Sequence, residues 1–178
     1  LAATGLVLSV HEGLGLMNQP VIGADRFSSF AQRHAVSHPM EQMSAMASLM
    51  LDGALERNPT LKVAFLESGT GWLPYWLHRL DEHCEWMAET ECDELQLLPS
   101  EYFARQCAIS SEAEDALCAS VIDAVGADHV MWASDFPHPD AIFPDSAREF
   151  IAYIGDTGST DAVLWSTPVD FYGLEERV

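Results

Sequence analysis

Four short apolar runs, spaced along the chain and each closed by polar side chains, constrain this sequence more than any other feature. The first, Leu6 to Val10, ends in His11 and Glu12, and the second, Val63 to Leu66, ends in Glu67 and Ser68. A third, within RQCAIS, ends in Ser110 and Ser111, and a fourth, HVMWASD, ends in Ser134 and Asp135. These runs are near-continuous rather than alternating, as strands buried on both faces must be. Helical spacing fills the segments between them, so the chain reads as strand then helix four times over. That order predicts an α/β fold with a parallel sheet covered by helices, whose ligand site lies at the carboxyl ends of the strands. The four polar strand ends would then share one rim.

The helices follow from periodicity. Met43, Met46, Ala47, Met50, Ala54 and Leu55 fall at helical spacing. Pro39 suits the first position of that helix and His38 its cap, while Asn58-Pro59 closes it. Trp72, Trp76, Leu80 and Cys84 line one side of a second helix, and the acidic ECDELQLLPSEYF reads as a long connection. A third helix is predicted over 112–126, a fourth from Pro144 to about Ile154, and a short terminal one over 167–174.

Composition removes several function classes. The 178 residues carry 28 acids against eight lysines and arginines, a net charge of −20. Such a surface repels phosphate backbones and anionic lipid, so neither nucleic acid nor membrane is an expected partner. Cys84, Cys92, Cys107 and Cys118 form no C-x-x-C, which argues against a zinc knuckle or redox pair and for reduced thiols. No charged-then-apolar leader is read at the start and no apolar run reaches membrane-helix length. The expectation is a soluble, intracellular, cytoplasmic protein.

The rim residues suggest metal chemistry. A neutral imidazole and a carboxylate converging from different strands suit a zinc-like divalent ion, and a carboxylate beside metal-bound water can accept its proton. On this reading His11 and Asp135 are metal ligands, and Asp135 is also a proton acceptor. Glu67 follows a buried run and should have a partner. His138, in the Phe136-Pro137-His138-Pro139-Asp140 turn, is a substrate-facing candidate, with a plain turn role as its alternative. For His38 the alternatives are a structural cap and a substrate contact. His34 and His38 are spaced i, i+4, but Pro39 places only the second on a helix. His78, Glu82 and His83 read as a solvated helix face. HEGLG is not H-E-x-x-H because Gly15 occupies the second histidine position, neither GLGLMN nor GTGWLP completes a dinucleotide fingerprint, and no G-x-S-x-G elbow occurs.

The ordered segments VHEG, SHPMEQMSAMASLMLDGALERNPTLKVAFLESGTGWLPYWLHRLDEH, PSEYFARQC and WASDFPHPD resemble the second half of an amidohydrolase-related, metal-dependent (β/α)8 barrel. The branch is that of aminocarboxymuconate-semialdehyde and resorcylate decarboxylases. The resemblance implies that the four strands correspond to the fifth through eighth of the barrel, in one domain over 1–178. It implies His11 as the fifth-strand metal ligand and Asp135 as the eighth-strand aspartate that binds metal and handles a proton. Glu67, a catalytic candidate with Asp135, falls where the decarboxylases carry a catalytic histidine, so the expectation is a metal-dependent hydrolase or lyase acting on a small carboxylate, amide or lactone, with decarboxylation the less expected reaction. Thr167 stands where the family's closing segment commonly has asparagine. The implied cofactor is a divalent metal, zinc foremost and manganese second.

The first-strand H-x-H or E-x-H pair of the family has no counterpart in this sequence. A four-stranded half would expose apolar surface and strand edges, so a homodimer or higher oligomer is expected. The competing expectation is a catalytically silent half-barrel that persists through self-association.

Overall fold

The computed structural model describes residues 1–12, 21–155 and 158–174. The GLGLMN segment that follows Glu12 lies outside them. Four strands, β1 (Leu8–Val10), β2 (Val63–Phe65), β3 (Cys107–Ser111) and β4 (Val130–Trp132), form one sheet in the order β1-β2-β3-β4. Every pair is parallel, with Val10 beside Phe65, Phe65 beside Ile109 and Ser111 beside Trp132. A doubly wound sheet reverses its strand order partway. This sheet does not, and four parallel strands in sequential order are one half of a (β/α)8 barrel.

Helices α1 (Phe30–Leu51), α2 (Ala54–Arg57), α3 (Leu73–Trp86), α4 (Pro99–Gln106), α5 (Cys118–Val125), α6 (Ser146–Ile154) and α7 (Thr167–Tyr172) complete the order. Alternation along the strands divides the core. Val63, Phe65, Cys107, Ile109 and Val130 join Met46, Met50, Leu73, Leu77, Phe103, Val121 and Phe150 in the main hydrophobic cluster. Ala64, Ala108 and Met131 point the other way and pack with Val7, Leu66 and Phe171. Both faces are therefore apolar, which is why the strands read as continuous runs.

Three expectations need correction. Helix α1 begins at Phe30, not Pro39, because Ser29 is the true cap: its hydroxyl accepts from the Gln32 backbone N–H at 3.3 Å. Pro39 is accommodated inside the helix, and His38 is a mid-helix residue rather than a cap. His34 and His38 consequently share a helix, their rings 4.7 Å apart. Next, PSEYFARQ is helix α4 and not part of a connection. Pro99 opens it, and the Glu101 carboxylate accepts from the Leu98 N–H at 2.8 Å, which satisfies a donor that the helix leaves unpaired. Finally, residues 112–117 are a turn before α5 and not its first half. The Asp115 carboxylate accepts from the Thr70 N–H at 2.7 Å, the Thr70 hydroxyl at 2.6 Å and the Leu117 N–H at 3.1 Å. That network ties the loop after β3 to the loop after β2.

Candidate functional site

Parallel strands deliver their carboxyl ends to one side, and the polar pairs read from the sequence meet there. Glu67 and Asp135 follow β2 and β4 with left-handed backbones, φ 55° and 52°, which non-glycine residues rarely adopt. Such positions persist only where the surroundings hold them. For Glu67 the clamps are visible. Its N–H donates to the Ser110 hydroxyl at 3.0 Å, and its C=O accepts from His38 Nδ1 at 2.7 Å. One step earlier, the Gln42 amide donates to the carbonyls of Val10 at 3.0 Å and Leu66 at 2.8 Å. Gln42 thus pins the ends of β1 and β2 together from helix α1.

The carboxylate of Glu67 has the partner expected of it. Its Oε2 bonds His11 Nε2, and its Oε1 lies 3.8 Å from His38 Nδ1. His11 Nδ1 is 2.7 Å from the Glu12 carbonyl. Burial alone would lower the His11 pKa, but the Glu12 carbonyl and the Glu67 carboxylate outweigh it, so the imidazole holds its proton more tightly than usual.

One atom each from Glu67, Asp135 and His138 lies within 4.8 Å of the others, a spacing at which a divalent ion could be held. Burial and the Glu67 charge raise the Asp135 pKa against the opposing pull of His138 and His11. A carboxyl group held back from ionising by a second carboxylate beside it is an electrostatic demand for a cation. His138 is the most exposed of the three, and its backbone N–H closes the turn onto the Asp135 carbonyl at 2.9 Å. His11 stands beside this group through Glu67, with its side chain 45% exposed. His38 is different. Only 8% of its side chain is exposed, and it faces Glu67 and Glu12.

Two rim residues escaped the sequence reading. Glu112 immediately follows β3, and its Oε1 accepts from the Ser110 hydroxyl at 3.3 Å. Burial and the neighbouring Asp115 push its pKa up to about 7, with Asp135 adding to the effect. The signal was present, since Glu112 closes β3 as Glu67 closes β2, but assignment to a helix concealed it. Gln42, fully buried among the methionines of α1, is the second.

Comparison with known proteins agrees with this architecture. The amidohydrolase family profile matches residues 1–174. The 2-amino-3-carboxymuconate-6-semialdehyde decarboxylase of Dictyostelium discoideum is 23% identical over 156 residues, covering 87% of this chain and 43% of that protein. The crystal structure of 5-carboxyvanillate decarboxylase from Sphingomonas paucimobilis superposes with a TM-score of 0.74 at 28% identity, covering 98% of this chain and 51% of that one. The same enzyme from Novosphingobium aromaticivorans, complexed with manganese and 4-hydroxy-3-methoxy-5-nitrobenzoic acid, gives 0.70 at 18% identity, with coverages of 98% and 49%. The chain spans about half the length of these relatives. Fold, strand order and family profile together place the chain in the amidohydrolase family.

Proposed function

We propose that this chain carries one half of the active site of a metal-dependent lyase that decarboxylates a small, unsaturated or aromatic carboxylate. The observation that carries the reading is the convergence of Glu67, Asp135 and His138 at the strand ends. Two carboxylates and an imidazole, with His11 alongside, suit an ion of the zinc or manganese class. When bound, such an ion supplies Lewis-acid stabilisation of negative charge on the substrate oxygens. The decarboxylase names of the relatives support a lyase over the hydrolase expected from Glu67.

Decarboxylation replaces a carboxylate by hydrogen: the C–C bond breaks, CO2 leaves, and the carbon that bore it takes a proton. Asp135 is suited to hold that proton because burial and Glu67 raise its pKa. Its carboxylate lies within reach of Glu67 and His138 at the end of β4. His138, on the turn that follows, is placed to face the substrate. A second reading, hydrolysis, is favoured by one feature, the Glu67 carboxylate as a potential acceptor of a water proton.

The test is to load the purified chain with manganese or zinc, remove free ion, and measure bound metal beside an Asp135→Asn variant. Loaded protein is then offered hydroxybenzoate-type carboxylates, with CO2 release as the readout, and amide and lactone substrates in parallel. Metal that the variant loses, with CO2 release, supports the lyase; turnover of amides or lactones alone supports hydrolysis. No retained metal sinks both readings for this chain.

A further inference from the structure

We propose that Glu12 and His38 form a buried positioning pair that sets the direction of Glu67; the role rests on Glu67 belonging to the metal site proposed above. The two side chains are almost completely enclosed, 1% exposed for Glu12 and 8% for His38. His38 Nε2 lies 3.5 Å from Glu12 Oε2, and neither that nitrogen nor either Glu12 oxygen has a hydrogen-bond partner. A buried carboxylate without hydrogen-bond partners is costly, and the His38 imidazole faces it at 3.5 Å.

The opposite ring nitrogen decides how. His38 Nδ1 donates to the Glu67 carbonyl at 2.7 Å. With that nitrogen committed to the carbonyl, the opposite edge of the ring turns Nε2 toward the Glu12 carboxylate. The pair therefore behaves as one unit: Glu12 holds the imidazole, and the imidazole holds the backbone of Glu67. The His34 ring packs against His38 at 4.7 Å in a tilted contact, with Phe30 against His34 at 5.2 Å. A carboxylate that orients a histidine, which in turn orients a reacting group, is a recurrent way of fixing a metal site.

What makes this a positioning role is the residue gripped. Glu67 sits at φ 55°, a conformation it does not keep unaided. Losing the His38 contact leaves only the Ser110 hydroxyl on its N–H. The carboxylate would then leave His11, and the group formed with Asp135 and His138 would open.

The experiment uses the full 178-residue chain with Glu12→Gln, His38→Leu and His38→Asn, the last retaining an amide donor near the Nδ1 position. Manganese affinity is read from the spin-resonance signal of free ion, and nitrogen-15 histidine spectra of metal-free protein report the ring protons of His11 and His38. Expected are a roughly 10- to 100-fold loss of affinity in Glu12→Gln and His38→Leu, and partial recovery in His38→Asn. The His38 and His11 signals should both shift in Glu12→Gln. Unchanged His11 signals and unchanged affinity in folded Glu12→Gln overturn the proposal. If the wild-type chain binds no manganese, the lyase reading fails by itself, and the His11 signals still decide the pair: movement supports it, constancy refutes it.

Discussion

The His11 imidazole at the end of β1 is hydrogen-bonded to the Glu67 carboxylate at the end of β2, so a proton occupies the space between two potential metal ligands. His11 holds that proton more tightly than an ordinary histidine despite its partial burial. An ion that takes His11 must displace the proton, so binding and protonation compete. Because the folded pKa is raised, the competition persists above the usual pKa of 6.5 and fades as pH climbs through the folded value. Manganese affinity should therefore rise as pH climbs above the usual histidine value and through the raised folded one, by up to roughly tenfold per pH unit in the steep part. Titrations that give a flat affinity over this window would remove His11 from the site.

Asp135 carries both a charge and a left-handed backbone, and the two can be separated by substitution. Asparagine is the non-glycine residue most at ease with that conformation, whereas alanine is strained there. Asp135→Asn should keep wild-type stability within about 1 kcal/mol, and Asp135→Ala should be roughly 1 kcal/mol less stable than the asparagine variant. Both should lose bound metal. Urea unfolding and elemental analysis of the same samples check the two halves of the statement independently.

Much of this architecture was legible because parallel strands buried on both faces leave a plain mark. Val63-Ala64-Phe65 and Cys107-Ala108-Ile109 alternate large and small residues, yet every position is apolar. The polar residue that ends each run then locates the rim, which is how His11, Glu67 and Asp135 were found. Helix boundaries were less legible, since Pro39 carries a strong start signal that the packed surroundings overrode. The competing start, Ser29-x-x-Gln32, is a capping pattern that the proline obscured. Glu112 was lost for a related reason: Glu112 to Leu117 has helical composition, but Asp115 spends its carboxylate on Thr70 and Leu117 instead. The burial of Glu12 could not be read at all, because its contact with His38 joins residues 26 positions apart that meet only through the packing of helix α1.

Gln42 contributes both rigidity and register. Its two N–H groups answer the carbonyls of Val10 and Leu66, and the residue is fully buried. Gln42→Leu fills the same space but takes the side-chain donor from the Leu66 carbonyl, while the Val10 carbonyl keeps the Leu66 N–H. At about 1–3 kcal/mol for one such group, the variant should lose roughly 1–3 kcal/mol, with some offset from removing the amide oxygen that is itself unpartnered in the native protein. Amide exchange should quicken first at the N–H of Leu66, which bonds the Val10 carbonyl at 3.0 Å. A Gln42→Leu chain as stable as wild type would show that the clamp is dispensable.

Glu112 supplies a pH signature that is independent of metal when measured with chelator present. Burial and the charge of Asp115 raise its pKa from 4.5 to about 7. Between those values the folded chain keeps a proton that the unfolded chain has lost, so stability falls as pH rises through this window. Below about 4.5 both states are protonated and the group contributes nothing to the slope; above about 7 both have ionised and the loss is complete. The difference corresponds to at most about 3 kcal/mol, less what solvent recovers around a half-buried side chain. Glu112→Gln removes the titration while keeping a partner for the Ser110 hydroxyl. The variant should match wild type near pH 4.5 and exceed it by about 1–3 kcal/mol near pH 8, a gap that opens between those limits in urea melts. A gap constant with pH would mean that Glu112 ionises normally, and that the acidic side of the rim is better solvated than its packing implies.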